Sequence, residues 1–101
     1  SHRIAERVAQ ARARARWRWQ QAGYGEITTA ALDPCVLRRE FPADEAGMAM
    51  LASYLMMGNI TQRGVDRVLK LAWTLADLTG DPTPTLDHIA QALDLRGEDL
   101  L

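Results

Sequence analysis

The chain has 101 residues, of which 48% are hydrophobic and 25% charged, and its formal net charge is −1. A chain of this length forms one domain with one modest core, and its charge balance gives no overall argument for a nucleic-acid or membrane partner. One cysteine excludes a disulfide within the chain, and we see no apolar leader and no apolar run that could span a bilayer. We therefore expect a cytoplasmic protein. Because no alternating apolar segment is long enough for a sheet, we also expect an all-α fold.

Residues 3–21 predict a first helix that is rich in arginine. Its narrow apolar stripe consists of Ile4, Val8, Ala11, Ala15 and Trp19. Arg3, Arg7, Arg14 and Arg18 follow one flank of this stripe, and Arg12 and Arg16 follow the other. Trp17 lies outside the stripe, which favours an edge or partner contact. Two interpretations stay open: the arginines solvate the helix, or they contact DNA backbone or a neighbouring domain.

A short second helix is predicted after a break. Two glycines in residues 22–27 end the first helix, and a connector follows over residues 28–32. Asp33 and Pro34 are typical of an N-cap and a first helical position. The helix over Cys35–Glu40 would bring Val36, Leu37 and Phe41 to the core, with Cys35 as a small buried side chain.

The third helix is predicted over Glu45–Met57, with Asp44 as its N-cap. Apolar residues cover most of its circumference: Met48, Met50, Leu51, Tyr54, Leu55 and Met57. We expect these side chains to be core, because a helix that is apolar nearly all round is buried on several sides. A methionine-rich surface for a protein partner is the alternative. Gly58 would end this helix in the left-handed conformation.

The central helix is predicted over residues 61–80, between the N-cap Thr61 and the terminating Gly80. Its apolar stripe consists of Val65, Val68, Leu69, Ala72, Leu75 and Ala76. Its predicted polar face consists of Arg63, Asp66, Arg67, Lys70, Thr74 and Asp77. A helix of about five turns with such a stripe can form the centre of a small bundle.

A last helix is predicted over Leu86–Leu95, after the turn-forming Asp81-Pro82-Thr83-Pro84 and with Thr85 as its cap. Its inward residues would be Leu86, Ile89, Ala90 and Leu93. We expect His88 to be a surface or capping residue, and Arg96-Gly97 and the acidic tail to be frayed.

Few residues offer chemistry. The chain contains no phosphate-binding G-x-x-x-x-G-K-[ST] loop, and its two histidines lack partners at metal-ligand spacing. We therefore expect neither an enzyme nor a metal site in this chain alone. Arg63, Arg67 and Lys70 are the exception, because they share one helix face near a helix N-terminus, where cations are disfavoured. A nearby anion would explain them: either Asp66 and another carboxylate, or a phosphate bound by guanidinium.

The central stretch T-Q-R-G-x-x-R-V-L-K-L-A-W-T-L-A-D-L-T-G resembles a family pattern, S-x-R-x-x-x-R-[IV]-L-K-V-A-R-T-[IL]-A-D-L-x-G. This pattern belongs to the C-terminal domain of magnesium-chelatase-like AAA+ ATPases, specifically the bacterial competence group (ComM/YifB type). The resemblance extends from Arg3 to about Arg96. One departure is Trp73, which stands where the family usually has arginine.

The resemblance implies that residues 1–101 are one helical lid domain, a four- to five-helix bundle, that follows an upstream ATPase core. It implies that Arg63 is the sensor-2 arginine, which reaches the γ-phosphate of ATP, with Arg67 as a second family arginine. ATP and magnesium would then be cofactors of the parent protein, a homohexamer that couples hydrolysis to DNA branch migration. A stand-alone helical adaptor and a DNA-binding basic helix are the alternatives.

Overall fold

The computed structural model describes residues 2–99. Over this range the chain forms five helices and no strand: α1 (His2–Gln21), α2 (Pro34–Glu40), α3 (Glu45–Met56), α4 (Gln62–Thr79) and α5 (Leu86–Asp99). The predicted all-α fold is thus confirmed, with helix starts within one residue of those expected. None of the helices in residues 2–99 is both long and apolar enough to cross a membrane.

Helix α4 is the centre of the bundle, because each of the other four helices contacts it. Its buried apolar residues are Val65, Val68, Leu69, Ala72, Trp73 and Ala76. The helix begins where the Thr61 hydroxyl accepts the Gly64 N–H at 3.1 Å. It ends at Gly80, whose φ of 80° is the left-handed value that glycine adopts without steric cost. Both predicted ends of the central helix are therefore confirmed.

Asp44 joins the starts of two helices. Its Oδ1 accepts the Gly47 N–H at 2.7 Å, the predicted N-cap of α3. Its Oδ2 accepts the Leu86 N–H at 3.2 Å, in the first turn of α5, and its own N–H donates to the Pro84 carbonyl at 2.9 Å. One carboxylate thus satisfies free N–H groups of both helices and fixes α3 against α5.

The prediction that α3 is buried nearly all round is wrong for its C-terminal end. Leu51 is buried and Met48, Met50 and Tyr54 are partly buried. In contrast, Leu55 is exposed, and Met56 and Met57 are 88% and 71% exposed. The reason is that α3 packs on α5 and, less closely, on α4, so the outer side of its last turn has nothing to contact.

Three smaller expectations are also wrong. Cys35 is exposed rather than buried, because it lies in the first turn of α2, where the Arg38 guanidinium donates to its sulfur at 3.0 Å. Ile4, expected in the α1 stripe, is 63% exposed. Helix α5 does not end at Leu95 but continues to Asp99; Leu100 and Leu101 lie outside the described residues.

His88 is buried, with 6% of its surface exposed, and is therefore not a surface residue. Its Nδ1 accepts the Thr85 N–H at 2.9 Å, and its Nε2 lies 3.0 Å from the Thr79 hydroxyl and 3.2 Å from an Asp81 oxygen. A side chain at the third helical position that accepts the N–H of the N-cap residue is half of a capping box. The capping interpretation of His88 is thus confirmed, in a buried setting that the sequence did not indicate.

Candidate functional site

Arg63 and Arg67 lie in the first two turns of α4, four residues apart, and both are exposed. Within residues 2–99, neither guanidinium makes a hydrogen bond or an ion pair to another side chain or carbonyl. Side chains at this spacing lie on one helix face, so two unpaired cations project together beside the helix N-terminus. The positive end of the helix dipole makes this an unfavourable place for cations unless an anion binds there.

The neighbouring charged groups are occupied elsewhere. Asp66 lies between the two arginines in sequence, but its Oδ1 is 3.2 Å from Arg38 Nε on α2 and accepts from Gln62 at 3.4 Å. Lys70 donates to the Ala30 carbonyl at 2.6 Å. The local network that the sequence left open, with Asp66 neutralising Arg63 and Arg67, does not form. The trio expected on this face is reduced to two arginines that are available to a ligand.

The segment that leads into α4 is tightly packed against its first turn. A Cβ added at Gly64 would lie 2.6 Å from a side-chain carbon of Ile60, which is buried. This contact holds the 58–61 connection close to the helix and sets the direction in which α4 begins. Since the same connection joins α3 to α4, the exposed Met56 and Met57 lie at the same end of the bundle as Arg63.

Several arginines of α1, in contrast, have partners within the domain. Arg18 pairs with Asp77, donating through both terminal nitrogens to its carboxylate. The guanidinium carbon of Arg18 also lies over two indole rings, 4.3 Å from the ring centroid of Trp73 and 5.0 Å from that of Trp19. Asp77 is only 2% exposed, so its predicted place on the polar face of α4 is wrong. α1 crosses this part of α4 and buries the carboxylate against a cation.

Two further arginines of α1 donate hydrogen bonds to the C-terminal end of α4. Arg14 donates to the Asp77 carbonyl and Arg7 to the Leu78 carbonyl. These are backbone acceptors in the last turn, where the helix dipole favours positive charge. Arg3 is exposed and has no hydrogen-bond or ion-pair partner within the described residues. Of the four arginines considered for a DNA or interdomain contact, Arg7, Arg14 and Arg18 thus have partners inside the domain.

Trp73 is the residue whose role the sequence did not indicate. It is 3% exposed, and its Nε1 donates to the Phe41 carbonyl at 2.9 Å. Its ring meets those of Trp19 and Phe41 edge-on, with centroids 5.6 Å and 6.4 Å away. The tryptophan therefore ties α4 to α1 and to the end of α2. The sequence signal was present but indirect: an aspartate and a tryptophan four residues apart in α4, opposite an arginine-rich helix.

Among the described residues, no group of three His, Cys, Asp or Glu side chains is placed to hold a metal ion. Tyr24 donates to Glu40 at 2.8 Å, and this hydrogen bond, followed by burial, raises the pKa of Tyr24 above 10.0. The bond links the connection after α1 to the last residue of α2, which is consistent with a structural contact.

A comparison with models of protein families shows which family the chain belongs to. Residues 1–96 match the model for the C-terminal region of the magnesium chelatase subunit ChlI. The chain belongs to this family. The resemblance seen in the T-Q-R segment is thereby confirmed at the level of the lid domain of magnesium-chelatase-like proteins, a family of ATPase C-termini.

Relatives of this lid domain are much longer proteins. Uncharacterized proteins of Mycobacterium bovis and of two strains of Mycobacterium tuberculosis are each 42% identical over 93 residues. That match covers 92% of this chain but only 18% of each relative. No solved structure matches the chain. The chain thus spans about a fifth of the length of the curated relatives that it matches.

Proposed function

We propose that this lid domain contributes Arg63 to the ATP site of a hexameric AAA+ ATPase, as a sensor-2 arginine. The observation that carries the proposal is that Arg63 and Arg67 are exposed and unpaired at the start of α4, while Asp66 and Lys70 beside them are occupied. Family membership supplies the kind of anion that two such arginines would meet, the phosphates of ATP on the adjoining core.

A guanidinium suits this role better than an ammonium. Arginine presents a planar fork of N–H donors that can bind a phosphate through two parallel hydrogen bonds. It also stays charged at every physiological pH. Arg63 lies in the first turn of α4 and Arg67 one turn further along. Arg63 is therefore the residue assigned to the γ-phosphate, and Arg67 supports the same negative charge.

The remaining parts of the ATP site belong to the core in this proposal. Magnesium arrives with the nucleotide and is held by residues outside this chain, and the domain alone does not hydrolyse ATP. The parent is proposed to act in the cytoplasm as a homohexameric DNA branch-migration helicase of competence or recombination. The support for this finer assignment is the T-Q-R and A-D-L-T-G segments of α4 and the large share of each relative that lies outside the match.

A protein-docking role is the second candidate, because Met56 and Met57 are exposed at the same end as Arg63. Methionine surfaces adapt to varied partners. A stand-alone adaptor would form a tight complex that is insensitive to salt and independent of nucleotide. A lid would close against its own core only when ATP is present.

The proposal is tested in the longer protein that carries this domain. Deleting the domain should abolish ATP turnover, and Arg63→Ala alone should reproduce most of that loss. Arg39→Ala, an exposed arginine on α2, is the matched control and should retain turnover. Full turnover after deletion of the domain would contradict the lid assignment. A synthetic four-way DNA junction tests the finer claim: dissociation of the junction into duplexes by branch migration should require ATP.

A further inference from the structure

The two flanks of α1 are used differently. On one flank Arg7, Arg14 and Arg18 are bound to the C-terminal end of α4. On the other flank Arg12 and Arg16 are exposed, and neither has a hydrogen-bond or ion-pair partner within residues 2–99. Their spacing of four residues places both guanidinium groups on one side of the helix.

These two arginines border a cavity of about 460 Å³. It lies between α1, the connection at residues 26–30 and the C-terminal half of α4. Its apolar wall is aliphatic and includes Val8, Ala11, Ala15, Ile27 and Leu78. A cavity of this size, mostly apolar and with a few polar groups at its edge, has the usual form of a recognition site.

The charges around the cavity favour an anion. Arg12 and Arg16 are unpaired cations, whereas Asp77 in the lining is neutralised by Arg18. Among the described residues, Glu26 is the one remaining carboxylate in the lining, which leaves a net positive edge. An occupant should therefore carry a small number of negative groups, close to an apolar part that enters the aliphatic wall.

The residue types in the lining also indicate which class of molecule the cavity binds. Nucleic-acid bases are commonly held by stacking on aromatic side chains, and none of the described residues that line this cavity is aromatic. An aliphatic side chain flanked by carboxylates matches both the wall and the charge. Acidic protein segments are recognised by arginine clusters in this way.

We propose that the cavity between α1 and α4 binds an acidic protein segment, with one large aliphatic side chain in the cavity and its flanking carboxylates on Arg12 and Arg16. This site is separate from the proposed phosphate contact. Arg63 lies in the first turn of α4 and Leu78 near its end, about 20 Å apart at 1.5 Å per residue. Neither proposal depends on the other.

The test uses the 101-residue chain and a fluorescein-labelled hexapeptide in which a leucine lies between aspartate and glutamate residues. Binding is followed by fluorescence anisotropy at low salt. Arg12→Gln and Arg16→Gln should each weaken binding by about tenfold, the effect of losing a charged hydrogen bond. Glu26→Gln should tighten binding, because it removes the opposing carboxylate. Arg39→Gln, which lies outside the cavity, should leave binding unchanged.

Two further measurements test the aliphatic contact and the location of the bound peptide. A peptide with serine in place of leucine should bind at least tenfold more weakly, since the aliphatic contact is lost. In a ¹⁵N-labelled chain, the peptide should shift the amide signals of Ala11, Ile27 and Leu78. Circular dichroism confirms that each variant remains folded.

Several outcomes would overturn the proposal. These are no binding of the peptide by the folded chain, equal binding of the serine peptide, or binding that is insensitive to both arginine substitutions. A short single-stranded DNA that binds through Arg12 and Arg16 more tightly than the peptide would also overturn it, and would assign the surface to nucleic acid.

Discussion

Arg18 of α1 and Asp77 of α4 form an ion pair in which the carboxylate is buried and the guanidinium lies over the rings of Trp19 and Trp73. The pair joins the first helix to the C-terminal half of the central helix. A buried carboxylate is costly to desolvate, and here both terminal nitrogens of one arginine donate to it. The contact fixes the position of α1 along α4.

Removing Arg18 should strongly destabilise the domain. Arg18→Ala leaves the Asp77 carboxylate buried without its cation, which should lower the free energy of unfolding by about 3–5 kcal/mol. Urea denaturation followed by circular dichroism measures this change. Arg3→Ala, an exposed arginine on the same helix, is the control and should change stability by less than about 0.5 kcal/mol.

The pair can also be replaced as a unit. Arg18→Met combined with Asp77→Leu should be more stable than Arg18→Met alone, because no unpaired charge then remains in the core. If the double variant loses as much free energy of unfolding as the two single variants together, the interaction between these two residues contributes little. The aromatic rings alone would then hold α1.

Leu69 is completely buried at the centre of α4. Leu69→Ala should therefore cost about 2–5 kcal/mol through lost burial and the cavity that remains. Leu95→Ala, on the partly exposed surface of α5, is the matched leucine control and should cost much less. A wild-type unfolding midpoint for Leu69→Ala would show that α4 does not occupy the centre of the bundle.

His88 should act as a helix cap. Its Nδ1 accepts the Thr85 N–H, so His88→Ala should cost about 1–2 kcal/mol by leaving this N–H without its acceptor. His88→Gln should recover part of that loss, because glutamine at the same position can accept the same bond. His2→Ala, at an exposed position in the first turn of α1, should have no measurable effect on thermal unfolding. Equal losses for alanine and glutamine at position 88 would exclude the capping role.

Tyr24 gives a prediction for alkaline pH. Its hydrogen bond to Glu40 raises its pKa above 10.0 in the folded chain. The bond's contribution to stability is therefore present below pH 10 and is lost as pH rises through the folded-state pKa. The tyrosinate absorbance that disappears in Tyr24→Phe should have its midpoint above pH 10. Glu40→Ala should lower this midpoint, because it removes the acceptor that contributes most to the shift; an unchanged midpoint would contradict the assignment.

Helix boundaries could be predicted because they depend on local chemistry. Thr61 and Gly80 at the ends of α4, and Asp33 and Pro34 at the start of α2, act within one turn of their own positions. The apolar stripe of α4 could be read in the same way. The exposure of Cys35 could not be predicted, because α2 has only seven residues. That is too few for periodicity to show which side of the helix faces the core.

Burial of polar residues depended on contacts between helices that are distant in the sequence. Asp77 was placed on the polar face of α4 because nothing local shows that Arg18, 59 residues away, would reach it. The exposure of Arg63 and Arg67 followed from the helix pattern. Their lack of partners did not, because it depends on the pairing of Asp66 with Arg38 of α2.

The central claim is that Arg63 contacts the nucleotide. The most direct measurement is the steady-state ATPase rate of the longer protein carrying Arg63→Ala, Arg63→Lys or Arg67→Ala, each beside its melting temperature. We expect Arg63→Ala to lower turnover at least tenfold, about 1.4 kcal/mol of transition-state stabilisation per factor of ten. Arg63→Lys should recover little, since lysine lacks the planar fork, and Arg67→Ala should lose less. All three should melt like the wild type, because both arginines are exposed. Wild-type turnover in Arg63→Ala, or a loss of turnover matched by a collapse in stability, would contradict the account.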